Sequence, residues 1–129
     1  MWKEYNPNPT RNRVGDCTIR ALTIALKQDW DTVFLDLAVH GFCLGNMPSA
    51  NHVWGACLRS HGFVRHVIPN ECPDCYTVAD FCRDHPIGTY ILAISGHVVA
   101  VDQGDWYDAW DSGDEIPIYY WYKEGINGL

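Results

Sequence analysis

Gly15-Asp16-Cys17-Thr18-Ile19-Arg20-Ala21-Leu22 sets a thiol at the point where an irregular stretch turns into an apolar helix. Asp16 is a natural N-cap, which puts Cys17 in the first helical turn. From Thr18 to Leu26 only Arg20 is charged, and Ile19, Leu22 and Leu26 recur at helical spacing. A helix that is apolar on most sides is a buried central one. Unpaired amides at its N-terminus favour thiolate over thiol, so Cys17 is either a small core residue or a nucleophile. Arg20, one turn on, is expected to pair with Asp16 or another buried acid.

Upstream, Asn6-Pro7-Asn8-Pro9 and a short basic stretch predict an extended, irregular segment over residues 1–15. Downstream, a second helix is predicted from Asp29 to His40, with Val33, Phe34 and Leu37 inward, and Gly41 and Gly45 bracket a loop. Ser49 is expected to cap a third helix ending at Ser60, with Val53, Trp54 and Leu58 apolar and Gly62 as its stop. Strand signals follow at Phe63–Ile68, Thr89–Ser95, His97–Val101, Trp106–Trp110 and Ile116–Tyr122, interrupted by a short helix capped by Thr77 and ended by Pro86. Helices first and strands afterwards predict an α+β domain spanning residues 1–129, with a central N-terminal helix packed on a C-terminal antiparallel β-sheet.

The totals narrow the function classes. A length of 129 residues suits one core rather than two, and 47% apolar against 19% charged residues is a globular balance. A net charge of −7 argues against duplex nucleic acid as the partner. No run reaches the ~20 apolar residues of a membrane span, and the first residues lack a secretory pattern. A cytoplasmic location with six reduced cysteines is therefore expected.

His97 opens the run His97-Val98-Val99-Ala100-Val101, which turns at Asp102-Gln103-Gly104-Asp105 and returns as Trp106-Tyr107-Asp108-Ala109-Trp110-Asp111. Hairpin register decides which acid reaches the imidazole. A three-residue loop over Asp102–Gly104 puts Ala109 opposite His97 and Asp111 one diagonal step away on the same face. A four-residue loop puts Trp110 opposite His97, turns Asp111 away, and leaves Asp108 on the histidine's face but farther back. The glycine-terminated three-residue loop is preferred, making Asp111 the expected partner of His97. A thiol, an imidazole and a carboxylate in this order suit nucleophilic thiol catalysis.

The order Cys, His, Asp, with the thiol on a central helix and the others on an antiparallel sheet, resembles the papain-like cysteine peptidases. It is closest to the short peptidase C39-like members, in which Asp follows His after a hairpin. The pattern Asn-Pro-x5-Gly-Asp-Cys-x2-Arg-Ala, on Asn8, Pro9, Gly15, Asp16, Cys17, Arg20 and Ala21, is similar to small proteins encoded by bacteriophages and prophages. The resemblance implies a papain-like fold, with Cys17 as nucleophile, His97 as base and then acid, and Asp111 orienting the ring. It implies a peptide or protein substrate, no cofactor, and a host-cell cytoplasmic location. The family pattern also expects a Gln about six residues before the nucleophile. Arg11 stands there and residues 1–16 hold no Gln, so Asn8 and Asn12 are the nearest amides, and the phage-type pattern favours Asn8 beside the Cys17 N–H as oxyanion donor. The missing Gln leaves a second expectation open: an inactive binding protein on the same scaffold, such as a phage factor that engages a host protein.

Other clusters read more plainly. Cys72 and Cys75, with Cys82 and His85, have ligand types suited to zinc. Their spacing is too short for an ordinary ribbon, so a turn with two free thiols is expected. The acidic run Asp102 to Glu115 lacks calcium-loop spacing and predicts a solvated edge. His40, His52, His61 and His66 show no acidic or thiol partner by spacing.

Overall fold

The computed structural model describes residues 1–69 and 75–123. Four helices and six strands lie among them: β1 (Trp2–Glu4), α1 (Cys17–Leu26), α2 (Trp30–Leu44), α3 (Asn51–Ser60), β2 (Val64–Val67), α4 (Val78–Asp84), β3 (Thr89–Ile94), β4 (His97–Asp102), β5 (Asp105–Asp108) and β6 (Tyr119–Tyr122). The strands form one sheet in the order β1-β5-β4-β3-β6-β2. All pairs are antiparallel except β1 with β5, which is parallel. The class is α+β, as expected, but the sheet is mixed. The segment predicted irregular over residues 1–15 contributes one of the two edge strands, β1.

The central strands explain their own composition. Alternate residues of a strand face opposite sides. Ile91 and Ala93 of β3 with Val98 and Ala100 of β4 join Leu22, Leu37, Trp54 and Leu58 in one core. Tyr90, Leu92 and Ile94 with Val99 and Val101 join Val78 and Phe81 of α4 in a second core on the other face. A sheet covered on both sides requires unbroken apolar strands, which these are. α1 lies against β4 and β3, α2 packs on α1, and α3 packs on α2 with its Trp54 against Tyr119 and Trp121 of β6. Leu22 is fully buried, and its truncation to Ala should cost about 2–5 kcal/mol.

Several local expectations shift. α2 runs through Gly41 and ends at Gly45, whose φ of 67° is the left-handed helix stop. Gly41 is there for space: a Cβ would lie 2.6 Å from the Asn46 carbonyl oxygen, where the chain folds back on the helix. Ala50, not Ser49, caps α3. Phe34 is largely exposed and stacks on Trp30 at 5.1 Å instead of facing inward. No helix among the described residues is long and apolar enough to cross a membrane.

Candidate active site

Cys17 begins α1, so its N–H has no carbonyl within the helix to bond. Asp16 precedes it without capping through its side chain. Its carboxylate is used elsewhere: Oδ1 accepts from Arg20 Nη1 at 2.6 Å and Oδ2 from Trp30 Nε1 at 2.9 Å. Asp16 thus holds the expected N-cap position, but its side chain does not cap the helix. Arg20, itself buried, reaches a second acid with Nη2, Asp108 Oδ1 at 3.0 Å. Arg20 is therefore paired with Asp16 and with another buried acid as well, rather than with one or the other.

Asp108 is the acid that meets His97. Nε2 of His97 donates to Asp108 Oδ2 at 2.6 Å, and the Asp108 side chain has no exposed surface. The turn explains why Asp111 does not take this place. Asp102 pairs with Asp105, leaving a two-residue loop in which Gln103 (φ 52°) and Gly104 (φ 81°) are both left-handed. That is the tight hairpin turn whose twist matches its strands. The pairs Val101–Trp106 and Ala100–Tyr107, continued along β4, put Trp110 opposite His97. The two rings are 4.9 Å apart. This is the register set aside in the sequence reading, and it keeps Asp108 on the histidine's face. Asp111 instead accepts from Trp106 Nε1 and Gly113 N, both at 3.0 Å, closing the turn after β5.

Four donors converge on the Asp108 carboxylate: His97, Arg20, Ser112 Oγ at 2.7 Å and the Ala109 N–H at 2.8 Å. Its backbone is pinned from β1, since the Asp108 carbonyl oxygen accepts from Tyr5 N at 3.0 Å and Trp2 Nε1 at 3.1 Å. Burial pushes the carboxyl up, but the bonds from His97 and Ser112 and the imidazolium charge outweigh it and hold it below the usual range.

Cys17 lines the same cleft as His97, and the two groups act on each other's titration. Burial pushes the Cys17 thiol up, yet the bond with His97, the Val98 N–H, and the charges of His97 and Arg20 bring it below its ordinary value. Burial alone would lower His97; the Asp108 bond and then the Cys17 bond raise it to about 9. Both shifts favour the same charged state, a thiolate beside an imidazolium.

The pair opens onto a cleft lined by Asn6, Arg13, Gly15, Gly96, Ala109 and Trp110 among others. Asn6 lines this cleft and the expected oxyanion residue, Asn8, does not. Asn8 is buried with its Oδ1 turned to the N–H and hydroxyl of Thr10, both at 2.9 Å, as a local turn. Asn6 Nδ2 is held loosely, at 3.5 Å from the Arg11 carbonyl oxygen and 3.4 Å from that of Asn12. It is the side-chain amide the cleft can offer beside the Cys17 N–H.

Elsewhere, Cys75 is disulfide-bonded, which overturns a reduced thiol at that position; Cys72 lies outside the described residues. A disulfide sulfur cannot serve as a thiolate ligand, which counts against the four-residue zinc reading. Cys82 is a buried free thiol, and His85 stacks on Phe81 with Nδ1 on the Phe81 carbonyl oxygen at 2.9 Å. His40 and His61 do have partners, contrary to expectation: Asp36 meets both. No protein-family model matches the chain, and neither a curated protein nor a solved structure matches it.

Proposed function

We propose that the chain is a thiol-dependent hydrolase of amide or peptide bonds, built on a papain-like arrangement. Cys17 attacks the carbonyl, and the Cys17 N–H with the Asn6 amide receives the oxyanion. His97 carries a proton to the leaving amine and then withdraws one from the water that releases the acyl group. Asp108, in the role expected of Asp111, fixes the ring orientation and stabilises its charged form. The observation that carries the proposal is a half-buried thiol at a helix start lining one cleft with an imidazole that is bonded to a fully buried carboxylate. No cofactor is needed for these steps. A peptide or protein substrate fits an open cleft.

The test is iodoacetamide labelling of the folded chain at pH 6, followed residue by residue. Cys17 should react at least about a hundredfold faster than the exposed Cys43. A nitrophenyl ester should then give a burst of one nitrophenolate per chain, absent in Cys17→Ala. Labelling of Cys17 at the rate of Cys43, with no burst, would sink the hydrolase and leave the non-catalytic binder.

A further inference from the structure

A second group of ligating side chains sits between α2 and α3, away from the cleft. Asp36 and His40 are one turn apart on α2, and Cys57 on α3 stands four residues before His61, the residue that caps that helix's C-terminal end. The two pairs face each other where these helices pack. Asp36 is the hub: Oδ1 lies 3.2 Å from His40 Nδ1, and Oδ2 lies 3.3 Å from His61 Nε2 and 3.4 Å from Cys57 Sγ. One ligand atom each from Asp36, His40 and Cys57 falls within 4.8 Å of the other two.

We propose that Asp36, His40 and Cys57 form a binding site for a zinc-class divalent cation that clamps α2 to α3. Ligand atoms around tetrahedral zinc, at bond lengths of about 2.0–2.3 Å, stand roughly 3.3–3.8 Å apart. The Cys57 contact to Asp36 Oδ2 (3.4 Å) has that spacing, the His40 contact to Oδ1 is 3.2 Å, and the three ligand atoms within 4.8 Å of one another have about 1 Å to close. One imidazole, one thiol and a single carboxylate suit zinc or cobalt; calcium and magnesium require more oxygens. Cys57 is fully buried at the floor of the site, while Asp36, His40 and His61 are partly exposed and give entry from solvent. Coordination replaces the Cys57 S–H by a sulfur–metal bond and releases its proton to the buffer. His40 Nδ1 gives up its bond to the Asp36 carbonyl oxygen (3.0 Å) to become a ligand. His61 stays on the carboxylate as the outer partner that orients it, and water fills the fourth position.

The hydrolytic cleft must be silent in the test, so the full chain carries Cys17→Ala and is stripped of metal without reductant. Cobalt chloride is titrated in. A one-to-one rise of the thiolate-to-cobalt charge-transfer band and the ligand-field bands of tetrahedral cobalt is expected, and zinc chloride should displace both. Cys57→Ser should remove the charge-transfer band, and His40→Gln, at a partly exposed position that spares the fold, should weaken binding at least about tenfold. Cys82→Ser should change neither. No charge-transfer band, a band that survives Cys57→Ser, or a His40→Gln titration that overlays the parent's would overturn the site.

Discussion

Two places in this chain assemble the same three groups and give them opposite chemistry. At Cys17 the carboxylate of Asp108 reaches the thiol only through His97, and Arg20 adds positive charge nearby. At Cys57 the carboxylate of Asp36 takes the thiol proton's hydrogen bond directly. Burial pushes both thiols up. His97 reverses that at Cys17, whereas the Asp36 charge and its bond to the thiol add to it and take Cys57 to about 12. A carboxylate activates a thiol when an imidazole stands between them and quenches it when it touches the sulfur, because the imidazole converts negative charge into a positive neighbour. Composition alone does not distinguish a nucleophile from a structural or metal-binding thiol; the order of contacts does.

The sharpest way to break that contrast is to remove the cation that holds the first cluster together. Arg20→Met leaves two buried carboxylates, Asp16 and Asp108, short of a partner and should cost about 3–5 kcal/mol in denaturant unfolding. The matching cut at the second cluster, Asp36→Asn, removes a charge that is partly exposed and should cost no more than about 1 kcal/mol. Equal losses would mean that the Arg20 bridge is no more central than the α2–α3 contact. Next in size is Asp108→Asn, which takes the negative partner from His97. Cys17 labelling at pH 6, scaled to the folded fraction, should fall by about tenfold or more. Cys57 reactivity should not change.

The pH behaviour separates the clusters further. Hydrolysis should rise with pH through the lowered Cys17 value and fall again as His97 loses its proton near 9. Stability follows a less obvious course. His97, raised from 6.5 to about 9, contributes stability that is complete below 6.5 and lost as pH rises through 9. Cys17, lowered from 9.0, contributes in the opposite sense below pH 9, since the folded chain holds fewer protons there than the unfolded one. The Cys17 gain offsets part of the His97 loss in the parent, whose stability should decline less with pH than that of a chain without the thiol. In Cys17→Ala the contribution that His97 draws from Asp108 remains without the thiol's, and denaturant midpoints should decline with pH more steeply than in the parent. A decline in the parent as steep as in the variant would show that the thiol stays protonated.

Cys17 and His97 were legible in the sequence because each stands at a chain feature with a strong local signal: a glycine-led helix start and a glycine-led strand. The acid was not, since one residue of loop length moves it. Gln103 has no strong preference for a positive φ, so nothing in Asp102-Gln103-Gly104-Asp105 announced a two-residue turn. β1 was missed because its pairing is parallel and runs from one end of the chain to β5, a contact that local periodicity does not carry. Asn6 shared its Asn-Pro context with Asn8, and only folding shows which of them lines the cleft. His40 could have been found: it follows Asp36 by one helical turn, and Cys57 and His61 repeat the spacing at the end of the next helix.

The smallest effects test the register itself. Ser112→Ala removes one donor from a buried carboxylate that keeps three others, and should cost about 1–2 kcal/mol with a modest drop in Cys17 labelling. Asp111→Asn should leave the labelling rate of Cys17 unchanged within a factor of about two, since Trp106 and Gly113 are its partners and an amide oxygen can still accept from both. The two substitutions sit side by side in sequence, so their contrast reads the hairpin directly. If Asp111→Asn slows Cys17 by as much as Asp108→Asn does, the three-residue loop holds in solution, and the carboxylate on His97 is Asp111 after all.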